Sequence, residues 1–223
     1  MATLYVRLRE IVSLLSKTTK EGLIIQSFAI SISNFLRSYN ELVIDIRSLI
    51  NKRRRIESQW WNKQLDGNAD LTLTEVYTFV LPEHTKLKIL AALCGCNVIE
   101  IKEQTNNFSR NNYMALEDTT ASYVTAHWIT KMSKGAELLN RIYKILIGGE
   151  HDLRYVDTLR ILLKRSVRPL FEFVAKCIYN GEVVDPFSEF FIKEISVGKH
   201  HGLKLEYAKV PIFLEQYAED IFR

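Results

Sequence analysis

Eight apolar residues, Ile25, Phe28, Ile32, Phe35, Tyr39, Leu42, Ile46 and Leu49, recur at spacings of three and four in alternation. A strand cannot present such a set on one face, because its side chains repeat every two residues, whereas an α-helix gathers them into one stripe. Leu36, Val43 and Ile50 lie beside the stripe and widen it. That width favours a helix packed on several neighbours over the narrow seam of a two-stranded coiled coil. A helix carrying the stripe on to about Trp60 is on the order of 50 Å long at the standard rise. It can serve as the spine of an elongated domain.

The flanking segments read as further helices. Leu4, Leu8, Ile11 and Leu15 follow Thr3, a candidate N-cap, and Gly22 closes the polar link before the spine. Asp66-Gly67-Asn68 breaks the pattern as a loop. Thr72 and Glu75 have capping-box spacing, with Leu73, Val76, Tyr77 and Val80 as the expected buried face and Pro82 as the expected end of that helix. Leu87, Leu90, Ala91 and Leu93 then fall on a further helix, and the Asn-rich stretch 104–112 reads as an exposed loop. Helical patterning resumes around Val124, Trp128 and Met132, continues through Leu138, Leu139, Ile142, Ile145 and Leu146, and stops at Gly148-Gly149. Asp152 can cap the next helix. A later helix carries Leu170, Phe171, Val174 and Ile178 and ends at Gly181. Alternation at Phe191, Ile195 and Val197, and again at Leu203, Leu205 and Tyr207, predicts a short β-hairpin or extended arm within 190–207. Pro211 suits the first turn of a terminal helix with Phe213, Leu214, Tyr217, Ile221 and Phe222. The fold class is therefore all-α, elongated helical bundles around a long spine helix with that one possible hairpin.

Composition narrows the function classes. A chain of 223 residues buries a sizeable core as one domain or two closely packed helical halves. The net charge of +4 is spread along the chain apart from Lys52-Arg53-Arg54-Arg55. That run reads as the solvated end of the spine helix, favoured by the helix dipole within the last turn, or as a patch for RNA or an acidic protein. Trp60-Trp61 beyond it reads as a packing anchor, because adjacent helical residues cannot both face one surface. Cys94, Cys96 and Cys177 sit in apolar helical patterns without a partnering Cys/His set, which points to core cysteines and a reducing compartment. His200-His201 in a Gly-flanked loop reads as solvated. Gly148-Gly149 lacks the other residues of a phosphate-binding loop. No nucleophile and base share a supporting spacing, so no catalytic residue, cofactor or metal is assigned; an enzyme would need a pocket joining a perturbed carboxylate to His84, His127 or His151. No segment reads as a signal peptide or membrane span, and the expected setting is soluble and cytoplasmic.

The sixteen residues from Cys177 to Ile192 join a helix stop, an Asp-Pro turn and an aromatic cluster of Phe187, Phe190 and Phe191. This run resembles the signature of the gamma-tubulin complex component family. The matching residues are Ile178, Tyr179, Gly181, Asp185, Pro186, Glu189, Phe190, Phe191 and Ile192, while Cys177 replaces a Trp of the pattern and Phe187 a Tyr. Gly135, Leu138, Leu139, Asp152, Leu159, Leu162, Leu163 and Pro169 extend the likeness upstream, as do Leu71-Thr72-Leu73, Pro82, Leu87 and Leu90. Val210, Pro211, Phe213 and Leu214 extend it downstream, with Leu203 departing from an expected Tyr.

The resemblance implies a scaffold without enzymatic activity that supports microtubule nucleation at a centrosome or spindle pole. It implies the N-terminal domain of a component, packed side by side with the same domain of neighbouring components. Residues 1–223 would be a partial N-terminal domain, with gamma-tubulin bound only indirectly through a C-terminal domain that this stretch lacks. No membrane or nucleic-acid partner is expected. A second reading is a helical adaptor that binds RNA or an acidic protein through Lys52, Arg53, Arg54 and Arg55.

Overall fold

The computed structural model describes residues 2–17, 22–59, 72–95, 132–148, 153–197 and 200–223. Within them the chain is mostly helical, with seven α-helices and one two-stranded antiparallel hairpin. Trp60-Trp61, Cys96, Val124, Trp128, Gly149, Asp152, and the expected loops at 66–68 and 104–112, lie outside the described residues.

Helix α1 (Ala2–Lys17) buries Leu4, Leu8, Ile11 and Leu15 in the core it shares with α2. Because α1 already begins at Ala2, Thr3 is an exposed residue of the first turn and not its N-cap. The spine, α2 (Leu23–Gln59), runs for 37 residues, about 55 Å at the standard rise. Its stripe is tightly closed at one end and less so toward the other, where Ile46 is still buried. Ile25, Phe28 and Ile32 are fully buried, Phe35, Tyr39 and Leu42 are half-buried, and Leu49 is exposed.

Helix α3 (Leu73–Leu93) starts with the expected capping box: Thr72 Oγ1 accepts the Glu75 N–H at 3.2 Å, and the Thr72 N–H donates to Glu75 Oε2 at 2.9 Å. Pro82 does not end it. A proline inside a helix costs about 3 kcal/mol, whereas each fully buried Leu or Ile contributes about 1.5–3 kcal/mol. Leu87, Ile89, Leu90 and Leu93 are all buried beyond the proline, so packing wins and the expected second helix is the inner half of α3. The outer half departs from its expected face. Leu73 and Tyr77 are exposed, and Val76 and Val80 are half-buried.

Helices α4 (Gly135–Ile147), α5 (Leu153–Ser166) and α6 (Arg168–Asn180) complete the bundle, burying Leu138, Leu139 and Ile142, then Leu159 and Leu162, then Leu170, Phe173 and Val174. Pro169 sets the break between α5 and α6, since it has no N–H to give the Arg165 carbonyl. The hydroxyl of Ser27 on α2 donates to that carbonyl at 2.7 Å, so the break becomes a joint with the spine.

Strands β1 (Ile192–Val197) and β2 (His200–Leu205) pair with Ile192 opposite Leu205 and Lys193 opposite Lys204. His200 and His201, expected in a loop, belong to β2, their backbones opposite Val197 and Ser196. Two apolar clusters result. One gathers α1, most of α2, and α3 to α5; the other gathers the start of α2, α6, the signature loop and the chain after β2. Leu163 packs on both. Among the described residues no helix is long and apolar enough to cross a membrane.

Candidate functional site

The signature run begins where α6 stops. Gly181 has φ +67°, the left-handed conformation that costs glycine nothing, and its N–H closes the last turn on the Cys177 carbonyl at 3.1 Å. The loop that follows is organised by Asp185, whose carboxylate accepts the Phe190 N–H at 2.7 Å and the Phe187 N–H at 3.3 Å. Ser188, with φ 57°, takes the left-handed turn between them. Phe190 and Phe191 are thereby delivered into the second cluster, with ring centroids 4.5 Å apart and Phe173 5.7 Å from Phe190. Phe187 is half-buried.

Glu189 leaves the same loop toward the start of the spine. Its Oε2 accepts the Ile24 N–H at 3.1 Å, a capping bond from a residue 165 positions away. A carboxylate there satisfies an otherwise unpaired donor and meets the positive end of the helix dipole. Gly22 makes room for it, because a Cβ at that position would overlap the Glu189 carboxylate. The signature therefore ties α6, β1 and the α2 terminus into one joint.

Ile178 and Tyr179 take no part in it, being exposed by 56 % and 85 %. Helix α6 is turned relative to the expected face: Leu170, Phe173 and Val174 are buried and Cys177 is half-buried, whereas Phe171 is exposed together with Ile178. Adjacent positions differ by about 100° around a helix, so the face shared by Leu170, Phe173, Val174 and Cys177 leaves Phe171 and Ile178 together on a flank about 90–110° from its centre. Burial pushes the Cys177 thiol pKa up, as befits a packing cysteine in place of the signature Trp.

Downstream, Val210 and Leu214 are buried in the second cluster. Asn140 of α4 accepts the Ile212 N–H at 2.8 Å, and Phe213 meets Tyr143 edge-on with centroids 5.3 Å apart. The expected terminal helix divides into a 3₁₀ segment, Ile212–Tyr217, and a short α7 (Ala218–Phe222). The tighter winding follows from Pro211, whose carbonyl takes the Leu214 N–H at 2.8 Å.

The basic run lies elsewhere. Lys52 is exposed on α2, about 40 Å along the helix from the Glu189 cap. Since α2 continues to Gln59 and its last turn holds no basic residue, the dipole argument does not reach the run. The side chains of Arg53, Arg54 and Arg55 lie outside the described residues. Between the cap and the run, α2 exposes Ile30, Val43, Ile44 and Leu49 by 64 %, 45 %, 65 % and 41 %. His84 on α3 has its pKa lowered by partial burial and then by Lys88; His127 and His151 lie outside the described residues. Among the described residues no three His, Cys, Asp or Glu side chains gather as a metal site.

Residues 1–223 match the family described as Gamma tubulin complex component N-terminal. The chain belongs to that family. This gamma-tubulin complex component chain is 30% identical over 142 residues to the Arabidopsis thaliana protein "Gamma-tubulin complex component 3", a match covering 57% of the chain and 17% of the relative. It is 32% identical over 66 residues to the Dictyostelium discoideum protein "Spindle pole body component 98", covering 30% of the chain and 8% of that relative. Gamma-tubulin complex components are non-enzymatic structural proteins, and their context is microtubule nucleation. Gly181, Asp185, Glu189, Phe190 and Phe191 of the signature form the joint, whereas Ile178 and Tyr179 stay exposed outside it. What the pattern did not disclose is the Glu189 bond to α2, for which the available signal was a long helix preceded by Gly22.

Proposed function

We propose that the chain is a lateral scaffold of gamma-tubulin complexes, associating side by side with neighbouring components and supporting microtubule nucleation at a microtubule-organising centre. The observation that carries this reading is the opening of the spine. The N-terminal half of α2 buries Ile25, Phe28, Ile32 and Leu36 and exposes Ile30, whereas between residues 41 and 52 Ile46 is buried and Val43, Ile44 and Leu49 are exposed. Val43 and Ile44 are neighbours on the helix, whereas Leu49 lies about 120–140° around it from them, so the association surface is centred on Val43 and Ile44. The outer half of α3 adds Leu73, Tyr77 and Phe79, exposed by 85 %, 56 % and 49 %.

The test is sedimentation of the purified chain with a purified neighbouring component. Wild type co-sediments, Ile44→Glu does not, and Ile178→Glu on the far side of the signature joint behaves as wild type. Equal co-sedimentation of wild type and Ile44→Glu would remove α2 from the contact.

A further inference from the structure

The hairpin holds an arrangement that its own stability does not favour. Lys193 and Lys204 are direct cross-strand partners, and like charges placed opposite each other destabilise a strand pair. Both side chains are exposed, and among the described residues no carboxylate forms an ion pair with either. Some relief comes from Glu206. It pairs with Lys209 at 2.9 Å, and its carboxyl is held below the usual range by the hydrogen bond from Lys209 and then by the charges of Lys209, Lys193 and Lys204. Lys209 is thus paired with Glu206, and Lys193 and Lys204 act on the same carboxylate through their charges alone.

Beside them, between the signature loop and β1, lies a cavity of about 180 Å³. Its lining includes the apolar Val183, Phe190 and Ile192 together with Lys193 and Lys209. Asp185 and Glu194 also line it, the former with both carboxylate oxygens accepting loop N–H groups.

We propose that this face of the hairpin docks an acidic segment of a protein partner, its carboxylates meeting Lys193 and Lys204 and an apolar side chain entering the cavity. An acidic segment supplies the charge the lysine pair lacks, and the cavity supplies a recess for one side chain of it. A nucleic acid fits less well. The cations cluster around Glu206 instead of tracking a backbone. This surface is separate from the α2 face and stands or falls independently of it.

The experiment uses the whole chain and fluorescence anisotropy of a short labelled peptide of glutamates around a central leucine, beside its glutamine counterpart and a labelled single-stranded RNA. The glutamate peptide binds, more weakly as salt rises. Lys193→Glu and Lys204→Glu each weaken it by about tenfold, and Lys176→Glu on α6 leaves it unchanged. Lys193→Gln, which removes only the charge, gives a smaller loss in the same direction. Lys204→Glu also melts at a higher temperature than wild type, since Lys193 then faces a carboxylate. Undiminished binding in both charge-reversed variants would overturn the inference, as would equal binding of the glutamine peptide. So would RNA bound more tightly and lost with the same substitutions, or a lower melting temperature for Lys204→Glu.

Discussion

Replacing Gly22 with alanine should destabilise the chain only while Glu189 is present. Gly22 does not occupy the left-handed backbone region, so alanine is unstrained there, but its Cβ would overlap the Glu189 carboxylate. The flexible carboxylate can retreat, and in doing so it abandons the Ile24 N–H that it now holds at 3.1 Å. The cost of Gly22→Ala is therefore the cost of losing the cap, about 1–2 kcal/mol for a charged acceptor at a half-buried helix N-terminus. Glu189→Ala costs about the same for the same reason. The double variant should be no less stable than Glu189→Ala alone, and up to about 1 kcal/mol more stable because alanine restricts the unfolded chain. The two substitutions are thus coupled by about 1–2 kcal/mol, far beyond the additivity of independent sites. Thermal and urea unfolding followed by circular dichroism reads this directly, each single variant melting roughly 2–8 °C lower. Single-variant costs that simply add, or a Gly22→Ala protein as stable as wild type, would refute the capping argument.

Three further outcomes follow from the same structure. Pro82→Ala restores the backbone donor missing from α3 and should raise stability by about 1–3 kcal/mol, checked by urea denaturation; an unchanged midpoint would detach the outer half of α3 from the cooperative unit. His84 titrates lower in the folded chain than unfolded, so its stability contribution is present above the unfolded pKa and lost as pH falls through the folded one. Melting temperature should accordingly fall on acidification below about pH 6.5, and His84→Gln should flatten that slope. Neutralising Lys52, Arg53, Arg54 and Arg55 to glutamine should leave binding of a neighbouring component intact in a pull-down; loss of that binding would move the contact to the run.

Local chemistry was legible where the deciding atoms are close in sequence. The Thr72–Glu75 box spans three residues, the Gly181 stop needs only its own φ, and the hairpin shows in alternation within 190–207; all three stand in the structure. Where distant packing decides, the pattern misled. Pro82 looked terminal because the buried Leu87 to Leu93 face that holds α3 together is a tertiary fact. Phe171 and Ile178 looked buried because a helical period cannot say which of two adjacent positions meets the core. In the signature, Gly181 and Asp185 could be read as turn residues, but Glu189 acts across 165 positions on a donor that no local motif names. Asn140, which accepts the Ile212 N–H at 2.8 Å, was hidden for the same reason.

The most direct test of lateral association places a photo-crosslinking residue at position 44, where Ile44 is 65 % exposed on the spine, and isolates the adducts from assembled gamma-tubulin complexes. The account predicts crosslinks to a neighbouring complex component, absent when the same residue replaces the buried Ile32. Complexes that assemble with position 44 uncrosslinked, or crosslinked only to gamma-tubulin itself, would contradict it.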